Sequence, residues 1–157
     1  MGEETALHSL RREYAAMPPV AAMQVRVEGM EGGRLRLSAP LAANVNDKGT
    51  AFGGSLVSLM TLAGWGLVAM RLERAGVAAE VYVADSQVRY LAPLRSDLHA
   101  SAALDEGQSW DEFLRTLAQR GRARVQLRAE VALPEGGVAA TLSGRFVALA
   151  KEAPAPG

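Results

Sequence analysis

Residues 44–55 read NVNDKGTAFGGS, and the fifteen residues that follow, LVSLMTLAGWGLVAM, carry no charge. A polar, glycine-rich loop that runs into an apolar helix brings several chemical groups together. The first backbone N–H groups of a helix lack partners inside it, and its dipole is positive at that end. Glycine lets a ligand approach the backbone closely. Phe52, Gly53 and Gly54 are therefore placed to present amides to a carbonyl whose oxygen becomes negative during attack, where such donors are worth several kcal/mol. The stretch is read as a substrate-binding loop feeding the N-terminus of a buried helix. The plainer alternative, glycines that only permit a tight turn and close helix–sheet packing, stays open.

Attack by water also needs a base, and a carboxylate within hydrogen-bond reach is the simplest one. Asp47 lies in the loop. Asp85 interrupts the strand-like run EVYVADSQVRYLAP, where an aspartate is disfavoured unless something holds it. Each has a structural alternative: Asp47 as a turn residue of Asn-Asp-Lys-Gly, Asp85 as a partner of Arg89 or the mark of a strand bulge. Asn46 could orient water or bond a carbonyl, or close an Asx-turn. Ser55 and Thr61 carry hydroxyls nearby, but no histidine stands close in sequence to activate either. Ser55 is read as a helix-start residue satisfying backbone amides, Thr61 as a water or substrate contact, and Met60 and Trp65 as packing.

The elements that must position these groups are legible from periodicity. Leu7, Leu10 and Tyr14 mark an amphipathic helix over 4–16, ended by Pro18 and Pro19. Met23, Val25 and Val27, then Leu35 and Leu37, mark two strands joined by EGMEGGR. The apolar helix should run from Gly53 to Arg74 and stop near Gly76. EVYVADSQVRYLAP and LHASAALD are the next strands. SWDEFLRTLAQRG is a helix with Ser109 as N-cap, and RARVQLRAEVAL and GVAATLSGRFVALA are two further strands. Successive strands with hairpin connections favour an antiparallel sheet, and a helix apolar almost all round must be covered on most of its surface. The expected class is α+β, a curved antiparallel sheet wrapped around one long central helix. Residues 1–20 form an N-terminal helix and lead-in, 21–150 the domain, and 151–157 a disordered tail.

Composition narrows the function classes. The chain has 157 residues, with seventeen Lys plus Arg balancing seventeen Asp plus Glu, which gives no reason to expect nucleic acid or an acidic membrane as partner. It has no cysteine, so disulfides, thiolate nucleophiles and Cys-ligated metals are excluded, and a cytoplasmic setting fits. His8 and His99 are not in metal-ligand spacing, and no metal site is expected. The N-terminus has acids where a secretory signal has basic residues. The run from Leu56 to Met70 is shorter than the ~20 residues a bilayer needs, and reads as a core helix.

The stretches NVNDKGTAFGGSLVSLMTLAGWGLV and VYVADSQVRYLAPLRSD resemble the hotdog fold, and within it the thioesterase-like family of the YiiD C-terminal domain, found at the end of certain bacterial acetyltransferase fusions. With the strand order, the resemblance covers nearly the whole chain, and the residues before it read as one short helix and not as an acetyltransferase domain. It implies acyl-thioester chemistry, in a homodimer or tetramer whose active sites form at subunit interfaces. It departs from the phenylacetate-type hotdog thioesterases at two positions. Asn46 and Gly53-Gly54 match, but Phe52 stands where those enzymes have a histidine, and Thr61 where they have a helix-borne acid. The expectation is an acyl-CoA or acyl-carrier-protein hydrolase. Gly53 and Gly54 would polarise the thioester, and Asn46 with Asp47 or Asp85 would position water. A non-hydrolytic acyl-thioester binding or transfer module is the alternative, and a purely structural oligomer a further one. No cofactor is expected apart from the coenzyme A or phosphopantetheine of the substrate. Arg89 and Arg95, and less specifically the stripe Arg122, Arg124 and Arg128, are candidates for its phosphates. Ala63, Gly64 and Gly66 would leave room for an acyl chain or let two central helices approach across a dimer.

Overall fold

The computed structural model describes residues 2–151; apart from Lys151, the tail expected over 151–157 lies outside them. In chain order the elements are α1 (Glu3–Ala15), α2 (Pro18–Met23), β1 (Arg26–Glu31), β2 (Arg34–Ala39), a 3-10 turn (Leu41–Ala43) and α3 (Gly53–Arg74). β3 (Ala79–Tyr90), β4 (Leu98–Leu104), α4 (Trp110–Arg120), β5 (Arg122–Ala132) and β6 (Val138–Ala150) follow. The six strands form one sheet in the order β1-β2-β4-β5-β6-β3, antiparallel throughout. The sheet curves around α3, as the periodicity and the resemblance both lead one to expect.

α3 holds 22 residues, and Leu59, Met60, Ala63, Leu67 and Val68 are at most 1% exposed. Burying each large side chain contributes about 1.5–3 kcal/mol. Arg71 and Arg74 sit in its last turn, where the dipole favours cations, and Gly76 follows at φ +70°. Among the described residues α3 is the one helix long and apolar enough to cross a membrane, yet 61% of its most apolar window is buried inside this chain. β5 alternates as read, with Ala123, Val125, Leu127, Ala129 and Val131 buried against the core. α4 is capped by Ser109, whose Oγ accepts from Glu112 N at 3.2 Å, and ends at Gly121.

The structure corrects the reading in three places. Pro18 and Pro19 do not merely end a helix: they open α2, where proline's fixed φ suits the first turn, and β1 starts only at Arg26. The hairpin turn is confined to Gly32–Gly33 (φ +57° and +77°), with Glu28–Glu31 already in β1. The third concerns Gly64 and Gly66, which leave no space free. A Cβ on Gly64 would come 2.6 Å from Phe146 Cζ, and one on Gly66 would collide with the Tyr14 hydroxyl and lie 2.8 Å from Leu35 Cδ2. These glycines let α1 and β6 close on the central helix within one chain. Tyr14 donates its hydroxyl to Leu62 O, and burial holds that phenol well above its ordinary pKa, so it remains a donor.

Gly66→Ala therefore sets the small helix-propensity gain of alanine against overpacking. The net loss is expected to be about 1–3 kcal/mol, read as a lower denaturant midpoint, because the colliding atoms belong to fully buried side chains.

Candidate functional site

The loop before α3 is built by two carboxamides with different tasks. Asn44 is buried, and its Nδ2 donates to Met23 O and Pro40 O, both at 2.9 Å, while its Oδ1 accepts from Ser55 Oγ at 2.8 Å. Its own carbonyl accepts from Phe52 N at 2.7 Å. One side chain thus ties α2, the turn after β2 and the first turn of α3 together. Sequence reading assigned Asn44 no role; its signal was a second asparagine two residues before Asn46, in a loop that has to be anchored somewhere.

Asn46 closes the loop on itself. Its Oδ1 accepts from Lys48 N at 2.8 Å and Thr50 N at 3.0 Å, and its Nδ2 donates to Thr50 Oγ1 at 2.8 Å. This is the Asx-turn alternative, and it engages both ends of the carboxamide. A bridge between Val45 and Ala51 narrows the base, and Ala51 N donates to Leu94 O at 2.8 Å, pinning the loop to the segment after β3. Asp47 projects at the tip, fully open to solvent but for Lys48 Nζ at 3.0 Å.

The start of α3 is uncapped. Phe52 occupies the N-cap position and has no side-chain acceptor to offer, and the first turn contains no acid. α4, by contrast, has its serine cap with Asp111 and Glu112 in the first turn. Of the three amides expected to be free, Phe52 N–H is taken by Asn44 O; the N–H groups of Gly53 and Gly54 have no acceptor among the described residues. Ser55 differs from expectation, since its hydroxyl serves Asn44 and caps no amide.

Two aromatic rings flank these glycines. Phe52 is 54% exposed, and its ring lies where a Cβ on Gly54 would stand. Tyr90, 58% exposed, donates to Gly53 O at 3.3 Å. Thr61 lies further along the half-buried face of α3 that includes Gly54, Val57, Ser58 and Trp65. Its Oγ1 donates to Val57 O at 2.8 Å, leaving lone pairs free to accept. Trp65 Nε1 donates to Val81 O at 2.9 Å, so this face of α3 runs along β3.

Asp85 is not at this site within one chain. A bulge between Val83 and Asp85 shifts the register, and Asp85 pairs with Arg145 across the outer face of the sheet, away from α3. The strand bulge raised for it is present, but its ion partner is Arg145 and not Arg89. Arg89 also faces outward, opposite Thr141, and Arg95 is exposed without an ion pair among the described residues.

Asn44→Ala would strand two part-buried carbonyls and a buried hydroxyl. We expect a stability loss of about 2–4 kcal/mol, more than for Asn46→Ala, because Asn44 is itself buried and ties three separate elements while Asn46 bonds only within its own loop; paired thermal melts measure the difference.

Comparison with known proteins supports the fold and its family. A chain from Chlorobaculum tepidum TLS, of unknown function, is 26% identical and superposes with a TM-score of 0.89, covering 95% of this chain and 97% of that one. The structure described as "the putative thioesterase from Shewanella oneidensis" is 30% identical with a TM-score of 0.82, over 93% and 99% of the two chains. The PaaI protein of the Escherichia coli phenylacetic acid degradation operon, at 14% identity and a TM-score of 0.67 over 96% of each chain, shares the fold. A family model described as "Putative thioesterase (yiiD_Cterm)" matches residues 8–150, and the chain belongs to this family of hotdog-fold proteins.

Proposed function

We propose that this protein hydrolyses acyl thioesters of coenzyme A or of a carrier protein, in the cytoplasm and as a homodimer. The observation that carries the reading is the pair of unpartnered N–H groups, Gly53 and Gly54, at the start of an uncapped helix in a thioesterase-family fold. A thioester carbonyl placed against them gains most when its oxygen turns anionic, so the donors favour the transition state over the ground state. Thr61 lies on the same face of α3 as Gly54 and is a contact for water or the acyl group.

Of the two carboxylates, geometry favours Asp47 as the base. It belongs to the loop that leads directly into α3, and only the adjacent Lys48 holds it. Asp85 is engaged by Arg145 on the opposite face of the sheet. Asn46 acts by shaping the loop that carries Asp47, and not by binding water.

The dimer is supported by β3. This twelve-residue edge strand leaves Tyr82, Val83, Tyr90 and the following Leu91 between 44% and 58% exposed, and no charge guards Val81 to Ala84. A long edge of this kind is a template for pairing with another chain. A second copy paired antiparallel along β3 would cover the half-buried face of α3 and enclose the Gly53–Gly54 amides between subunits. One observation favours a binding module instead: among the described residues of one chain no carboxylate hydrogen-bonds to the helix start.

Thiol release from short, medium and long acyl-CoA substrates tests the reading. Asp47→Asn is expected to lower turnover by about 10²-fold or more while Asp85→Asn leaves most of it. A parent protein that holds acyl-CoA without turnover would establish the binding module. Val83→Lys on the edge strand should shift the protein to monomers in sedimentation analysis, and thiol release should fall with the dimer fraction.

A further inference from the structure

The sheet has a second surface that the thioester reading leaves unused. On its outer face, the register sets Gln87, Ser143, Arg128 and Ala103 in one row across β3, β6, β5 and β4, with Arg89 and Thr141 beside them. Arg34 of β2 enters from the far side, bonding Ser101 Oγ at 3.0 Å. Together they line a cleft of about 440 Å³, with Leu104 and Leu142 also in its lining.

Three guanidiniums from three strands line this cleft against a single carboxylate, Glu130. Glu130 is drawn to Arg34 at 3.4 Å, and both side chains remain over 40% exposed. Arg128 meets only Asp105, outside the lining, at 3.3 Å. Arg89 has no ion pair or side-chain hydrogen bond among the described residues. Exposed pairs of this kind are weak and yield to a multiply charged competitor. Guanidiniums matched with hydroxyl donors are the groups that hold phosphate oxygens, through forked, charge-assisted hydrogen bonds.

We infer that this cleft binds a phosphate-bearing ligand through Arg34, Arg89 and Arg128, with Ser143 and Thr141 as hydroxyl donors. Arg89 thereby acquires companions that lie far from it in sequence, while Arg95, outside the lining, does not take part. The position relates to the thioester site in a definite way. Arg89 and Tyr90 are consecutive on β3 and face opposite sides, Tyr90 touching Gly53 and Arg89 lining the cleft. The two sites therefore lie on the two faces of one strand end, and a single ligand would pass between them beyond Tyr90, past Leu91. That the phosphate belongs to coenzyme A rests on the thioester reading; the anion site itself does not.

Calorimetric titration of the full chain with inorganic pyrophosphate tests the site without any thioester. Binding should weaken by about tenfold or more in Arg89→Gln and in Arg128→Gln, and stay at the parent value in Arg26→Gln, a charge control on the opposite edge strand. Adenosine 3′,5′-bisphosphate binding more tightly than pyrophosphate would identify the nucleotide end of coenzyme A; equal binding would identify a free phosphate ligand, and either outcome supports the cleft. No binding of pyrophosphate by the parent protein, or equal binding in all variants, overturns it. An Arg128→Gln protein that loses an assembly state while pyrophosphate never binds would assign the face to contact between copies. Thiol release from acyl-pantetheine, which carries no phosphate, reports on the thioester reading separately.

Discussion

The structure depends on covering a helix that has no polar face. Left to water, most of α3 would expose large aliphatic groups, so one side takes the sheet, another takes α1, and its C-terminal half takes α4. Glycine makes the tightest of these approaches possible. At Gly66 the α1 residues Leu10 and Tyr14 sit where a side chain would be, and at Gly64 the ring of Phe146 does. The helix accepts glycine's roughly 1 kcal/mol propensity cost at each position in return for close packing. The N-terminal helix is therefore part of the domain's core and not a lead-in to it.

One flank of α3 is left incompletely covered, and the same flank runs along the edge strand. Gly54, Val57, Ser58, Thr61 and Trp65 are half-buried beside a strand whose own inward residues Val83 and Tyr90 are exposed. This seam joins the uncapped helix start at one end, so covering it and enclosing the free amides would be a single event.

Periodicity made most of the fold readable before any coordinates. The long uncharged run could only be a covered helix, and the alternation in β5 set its inward residues correctly because side-chain direction in a strand has a strict period of two. Proline misled at residues 18–19, since the same residue that ends one helix can open the next. Side-chain roles were harder to read because they depend on which backbone groups remain unpaired. Asn44 and Asn46 are chemically identical and two residues apart, yet one clamps three elements and the other folds a loop onto itself. Asp85 was rightly noticed as out of place in a strand, but its partner Arg145 comes from a strand sixty residues later. No spacing rule links those positions.

The absence of a cap on α3 is the feature that links the fold to the proposed chemistry. A serine or aspartate at position 52 would contribute about 1 kcal/mol by accepting from the first amides. It would also occupy the amides that the proposed reaction assigns to the thioester oxygen. Phe52 instead leaves two N–H groups without an acceptor among the described residues, those of Gly53 and Gly54, while its own amide is turned inward to Asn44. The loop before them compensates in stability: Asn44, Asn46, Ser55 and the Leu94 carbonyl hold the backbone on both sides of the opening. In the proposed reaction, donors fixed in this way would not have to reorganise as charge develops, and that preorganisation would make them worth more to the transition state than the same amides in water.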